Sequence, residues 1–163
     1  MSGFGIILAT ILVAGNAFAT EDIQITKDFR VSRDFRAFSI KSSSKIFFDT
    51  SKFVVYDGPV IAKDERLEVE AHNLLERALT LVSTKAESQY FIEIRIGDFV
   101  NYAIRNTDND PSTGFVIISA CSYPMRNMVD DCQSLTFYFF RKDPRSIILA
   151  RALNMWFERV VTP

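Results

Sequence analysis

The residues best placed to do chemistry lie in CSYPMRNMVDDC, residues 121–132, which holds the only two cysteines of the chain. A cysteine pair can clip a metal, cycle as a redox couple, or bridge. Ten residues separate Cys121 from Cys132. That spacing matches no C-x-x-C redox motif, and zinc would need two further ligands. The single histidine, His72, lies far off in sequence. The choice therefore rests on compartment.

His72 raises a second question. Glu68 and Glu76 stand four residues before and after it, one helical turn away on the same side. A histidine between two carboxylates could ligate a metal or act as a base, so His72, Glu68 and Glu76 are the metal candidates. Helix-stabilising side-chain pairs explain the pattern better, and no metal or other cofactor is expected. The stretch Asn106-Thr107-Asp108-Asn109-Asp110 alternates oxygen ligands as calcium loops do. Pro111 and Ile117 then stand where an EF-hand requires glycine and a bidentate glutamate. An Asx-rich turn accounts for it.

Nucleophilic catalysis finds no footing. The chain has no G-x-S-x-G elbow, no phosphate-cradling G-x-x-x-x-G-K-[ST] and no G-x-G-x-x-G. A carboxylate pair for hydrolysis stays open, because such pairs come from distant strands.

The start of the chain settles the cysteines. An apolar run from about Phe4 to Ala14 is followed by Gly15-Asn16 and then Ala17-Phe18-Ala19. Small residues at Ala17 and Ala19 suit signal-peptidase cleavage, and the run is too short to span a bilayer. Residues 1–19 therefore read as a signal peptide, and the mature chain as periplasmic or secreted. No transmembrane segment is expected after cleavage. In an oxidising compartment a cysteine pair at loop-closing distance bridges, so Cys121 and Cys132 are expected to form a disulfide at the base of a hairpin.

Removal of 19 of the 163 residues leaves 144, one domain by length, with a formal net charge of −1. Near-neutral charge gives no global attraction to nucleic acid, and none is expected as a partner. Fifteen phenylalanines imply heavy sheet packing or an aromatic face awaiting a partner.

The elements follow from periodicity. Residues 20–43 form an arm that repeats Asp-Phe-Arg at 28–30 and 34–36, with a local excess of basic residues. It reads as either a charged edge strand or a contact arm. Residues 44–163 read as a single domain. KIFFDTSKFVVYDGP suggests a hairpin or one bent strand. The stripe Leu67, Ala71, Leu74, Ala78, Leu81 predicts a helix from an Asp64 cap to about Ser83. SQYFIEIRIGDF alternates, with Tyr90, Ile92, Ile94 and Ile96 on one face and Phe91, Glu93 and Arg95 on the other. Gly97-Asp98 suggests a bulge or bend before a second run, 99–105. GFVIISAC and CQSLTFYFF form the stapled hairpin, and Pro144 opens a last helix with an apolar stripe of Leu149, Ala152, Leu153, Trp156 and Val160.

The expected fold is α+β: a mainly antiparallel sheet of about five to six strands with two amphipathic helices packed on one face. The other face carries the candidate binding surface, Arg30, Phe35, Arg36, Phe91, Tyr138 and Phe140. The arm's own phenylalanines could instead cover it. The expected function is non-catalytic binding of a macromolecule, a protein or envelope component, through this aromatic sheet face and basic arm. The alternatives are a small carboxylate- or metal-dependent hydrolase and a carrier of an apolar ligand between helices and sheet.

Overall fold

A computed structural model describes residues 21–25, 29–35, 38–57, 60–98, 114–140 and 143–163. The proposed signal peptide, Arg36, the 106–110 turn and the run 99–105 lie outside these residues.

Strand alternation builds most of the molecule. The strands are β1 (Glu21–Ile25), β2 (Phe29–Phe35), β3 (Ile40–Lys41), β4 (Lys45–Phe48), β5 (Val54–Asp57) and β6 (Val60–Ala62), followed by β7 (Thr80–Leu81), β8 (Tyr90–Asp98), β9 (Gly114–Ser122), β10 (Cys132–Phe139) and β11 (Val161–Thr162). The helices are α1 (Glu65–Ala78), a single turn α2 (Met128–Asp131) and α3 (Arg145–Val160). Among the described residues, no helix is long and apolar enough to cross a membrane.

Nine strands form one sheet, ordered β1-β2-β10-β9-β8-β4-β7, with β5 pairing β8 and carrying β6. A second, two-stranded sheet pairs β3 with β11. The sheet is mixed and larger than the five to six antiparallel strands expected from sequence. The β1-β2-β10-β9-β8 half is antiparallel, whereas β4 and β5 both run parallel to β8. Two pieces that sequence alone left as a hairpin or one bent strand are one bent course. β4 pairs Ile46–Phe48 with Tyr90–Ile92, a 3-10 turn follows, and β5 rejoins at Arg95–Gly97. The crossover through α1 permits the parallel pairing.

The arm's strands β1 and β2 belong to the large sheet. β2 lies between β1 and β10 and pairs with β10 over its whole length, Phe29 opposite Phe139 through Phe35 opposite Gln133. β10, apolar on both faces in sequence, is accordingly a central strand with seven of its eight residues buried.

Asp64 caps α1 as its sequence suggests, its carboxylate accepting from Leu67 N at 3.0 Å. The helix ends at Ala78, five residues short of the expected Ser83. Thr80 and Leu81 leave it to pair in parallel with Lys45 and Ile46, so tertiary pairing outweighs the continuing helical pattern. α3 buries Leu149, Ala152, Leu153, Trp156 and Val160 together, as its stripe predicts. Pro144 sits at the cap position just before the helix rather than inside its first turn.

The main core lies between these helices and the sheet. Leu67, Ala71 and Leu75 of α1 and the α3 stripe close on Ile92, Ile94 and Ile96 of β8, Val116, Ile118 and Ala120 of β9, and Leu135, Phe137 and Phe139 of β10. At roughly 1.5–3 kcal/mol for each fully buried large apolar side chain, this interface dominates the stability.

Gly97 is no bulge. β8 keeps regular register with β9 from Tyr90–Ser122 through Asp98–Gly114.

Candidate functional site

The period of two sends every second side chain of β8, β9 and β10 away from the helices. Antiparallel register then lines these residues up in rows across the sheet. One row runs Phe91, Cys121, Cys132. The next runs Glu93, Ser119, Ser134, Asp34, and a third runs Arg95, Ile117, Thr136, Ser32. All but Thr136 and Ser32 of these residues line a groove of about 400 Å³ on the face opposite the helices.

Its apolar end is a second, smaller core. Phe91, Cys121 and Cys132 are buried there, with Phe35 and Phe47 packed against them. The cysteines are directly opposed, with Cα atoms 4.1 Å apart, and form the disulfide expected from sequence. Above it the loop 123–131 turns back, and its Met125 and Met128 form the groove rim. Both are open to solvent, at 43% and 53%, as are Tyr123 and Val129 nearby. The Met125 sulfur rests 3.4 Å from Cys132 Sγ.

Asp131 holds this loop in shape. Its Oδ2 accepts from the backbone N–H groups of Arg126, at 2.6 Å, and Asn127, at 3.0 Å. Those bonds, the Asn127 one foremost, pull its carboxyl below the usual carboxylate range. The Arg126 guanidinium adds to the effect, and burial opposes it. Asn127 in turn caps α2, its side-chain oxygen accepting from Asp130 N at 2.8 Å.

The polar middle of the groove is a short network. Ser119 Oγ and Ser134 Oγ share a hydrogen bond of 2.6 Å, and Glu93 pairs with Arg95 at 3.9 Å. On the Phe91 side, the Lys85 ammonium stands 3.5 Å from the Phe91 ring centre, a cation–π contact.

Phe35 enters the groove by a break in alternation. Continued extended backbone would put it on the face of Arg33, two residues earlier. Its φ is 61°, in the left-handed region that a bulky side chain rarely adopts. From there the ring lines the groove beside Phe91.

Of the surface expected from sequence, the structure thus brings Phe35 and Phe91 together at the disulfide. Arg30 and Tyr138 meet on the same face but further along, the guanidinium 4.3 Å from the ring centre. Phe140 is half-buried just beyond β10. Of the arm's phenylalanines, Phe35 packs on this face beside Phe91, whereas Phe29 and Phe38 pack against the helix-side core. His72 is exposed on α1, its ring 6.4 Å from that of Phe48. Among the described residues, no cluster of three or more His, Cys, Asp or Glu could hold a metal ion.

Sequence reading missed Asp34, Ser119, Ser134, Met125 and Met128. Parity counted outward from Phe91 would have found Ser119 once the Cys121–Cys132 register was fixed, and Ser134 with it. The methionines carried a signal only in their spacing inside the stapled loop.

No protein-family description and no curated protein matches the chain. Solved structures do. A DUF4136 family protein from Bacteroides thetaiotaomicron superposes with a TM-score of 0.50 at 11% identity, over 82% of this chain and 96% of that one. A PelC dodecamer from Paraburkholderia phytofirmans gives a TM-score of 0.48 at 9% identity, over 81% and 98%. At such identities the likeness to the DUF4136 family protein is one of fold: an α+β chain built on a mixed sheet.

Proposed function

We propose that this chain is an exported, non-catalytic protein that binds another macromolecule, a protein or envelope component, in the groove of its open sheet face. The observation that carries the reading is the left-handed Phe35, held beside Phe91 on a disulfide floor under an exposed methionine rim. A bulky residue in a left-handed conformation costs about 1–3 kcal/mol and persists where the surroundings over-determine it, commonly at ligand sites. Methionine side chains bend to fit irregular partners, which suits a receiving rim. The disulfide supports a periplasmic or secreted location. Of the basic side chains of the arm, Arg30 lies in β2 on the groove side of the sheet, opposite Tyr138.

Hydrolysis by paired carboxylates fits less well. Asp34 and Glu93 both line the groove, but three strand spacings of about 4.8 Å separate their backbones, roughly 14 Å in all. Carboxyl pairs in glycosidases stand about 5–9.5 Å apart.

Deleting residues 20–43 would remove β2 from between its two partners, so point changes give the cleaner test. A photo-reactive p-benzoylphenylalanine replacing Met128 in the full-length chain, expressed in its native host, should yield a discrete crosslinked product. The same probe replacing Glu76 on α1 should yield none. Phe91→Glu, and the gentler Met125→Glu at an exposed position, should abolish the Met128 product. Equal products at both probe positions, none at Met128, or a product indifferent to both substitutions would overturn the reading.

A further inference from the structure

We propose that Met125 and Met128 form a binding site for a soft monovalent metal ion, Cu(I) or Ag(I), beside the disulfide on the groove rim. Three sulfur atoms stand together there, the Cys121–Cys132 bridge and the Met125 thioether 3.4 Å from Cys132 Sγ, and Met128 lines the same groove. Thioethers are neutral, soft donors that select Cu(I) over the hard divalent ions, which prefer carboxylate, carbonyl and water oxygens. Among the described residues no His, Cys, Asp or Glu cluster competes as a harder site.

The geometry makes one thioether fixed and the other adjustable. Met125 is held against the bridge by a loop that Asp131 anchors through two backbone N–H groups. Its 43% exposure leaves the side chain open to solvent at the groove rim. Met128, more exposed and with three rotatable bonds, can swing to complete a two-sulfur site, the bridge sulfur lying behind as a weak third donor.

The site is independent of the partner proposed for the groove, because its readout needs no partner. Full-length protein, with an intact disulfide verified by the absence of titratable thiols, is titrated anaerobically with Cu(I) against a competing chelator. Ag(I) stoichiometry is read in parallel by native mass spectrometry. One ion per chain is expected. Loss of an outer-shell partner alone typically lowers metal affinity about tenfold or more, so Met125→Leu and Met128→Leu, which remove ligands, should each lower it at least as much. Met155→Leu, on the helix side, is the control and should leave it unchanged. Thermal melts followed by circular dichroism should show all three variants folded. No binding by the oxidised protein, binding that appears only after reduction, or binding unchanged in both rim variants would overturn the proposal.

Discussion

The rings of Tyr56 and Phe115 meet 6.0 Å apart, inclined at 41°, over Gly97, which pairs with both of them in the sheet. A Cβ at position 97 would lie 2.9 Å from Tyr56 Cβ and 2.9 Å from Phe115 Cζ. The Tyr56 contact cannot relax by side-chain rotation, because Cβ is fixed to the backbone. Gly97→Ala should therefore destabilise the fold by about 1–3 kcal/mol, the usual penalty of overpacking. Phe115→Leu should soften part of that penalty in the double variant. Urea denaturation of the four combinations measures the coupling, and a neutral Gly97→Ala would refute the close approach.

The same glycine shows what periodicity can and cannot reveal. The alternation of Tyr90 through Ile96 correctly assigned the helix-facing side of β8, because one buried face fixes the parity of a strand. Gly97-Asp98 suggests a bulge or bend in sequence, yet a glycine inside a strand signals a close backbone approach just as well. Only the positions of Tyr56 and Phe115, 41 residues before and 18 after it, decide between them. The parallel pairing of β4 and β7 was hidden for the same reason. Thr80 and Leu81 continue a helical stripe, and nothing local announces their partners at Lys45 and Ile46. The groove was half legible. Phe91 was exposed by parity, whereas Phe35 reached it by a backbone conformation that no residue pattern encodes.

The disulfide closes a short loop at the base of the β9–β10 hairpin. In the chain-entropy model such a cross-link contributes about 3 kcal/mol by restricting the unfolded chain. Reduction, or the paired change Cys121→Ala with Cys132→Ala, should lower stability by about 2–4 kcal/mol. Guanidinium unfolding with and without a dithiol reductant provides the comparison. Superimposable curves would show that β9 and β10 hold the hairpin without the bridge.

Asp131 sets the pH response of the groove rim. Its carboxyl titrates lower in the folded protein than the ordinary value near 3.8. A depressed folded-state pKa means that the charged form is favoured by folding. Its stabilising effect is complete above the unfolded value and is lost as pH falls through the lower, native one. The loop 123–131 should thus stay ordered down to about pH 4, the unperturbed carboxylate range, and loosen below it. Asp131→Asn should remove that acid-side transition and weaken the loop at neutral pH. Fluorescence of a probe attached at an Arg126→Cys position would follow it, with the native disulfide left oxidised. A rim equally ordered at pH 2 and pH 7 would contradict the assigned role of the carboxylate.

Two buried side chains of the α3 face should respond differently to truncation. Leu153 and Trp156 are both fully buried against the sheet. Leu153→Ala leaves a cavity and should cost about 2–5 kcal/mol. Trp156 also buries its indole Nε1, which finds no hydrogen-bond partner among the described residues. A buried, unsatisfied donor already costs about 1–3 kcal/mol in the native state. Trp156→Phe removes that penalty along with part of the ring, so the two effects oppose and the net loss should stay below about 1.5 kcal/mol, as for a mild change of core shape. Because Trp156 is the only tryptophan, unfolding must be followed by circular dichroism. A loss for Trp156→Phe as large as for Leu153→Ala would mean that the indole N–H is satisfied in solution, for instance by a buried water.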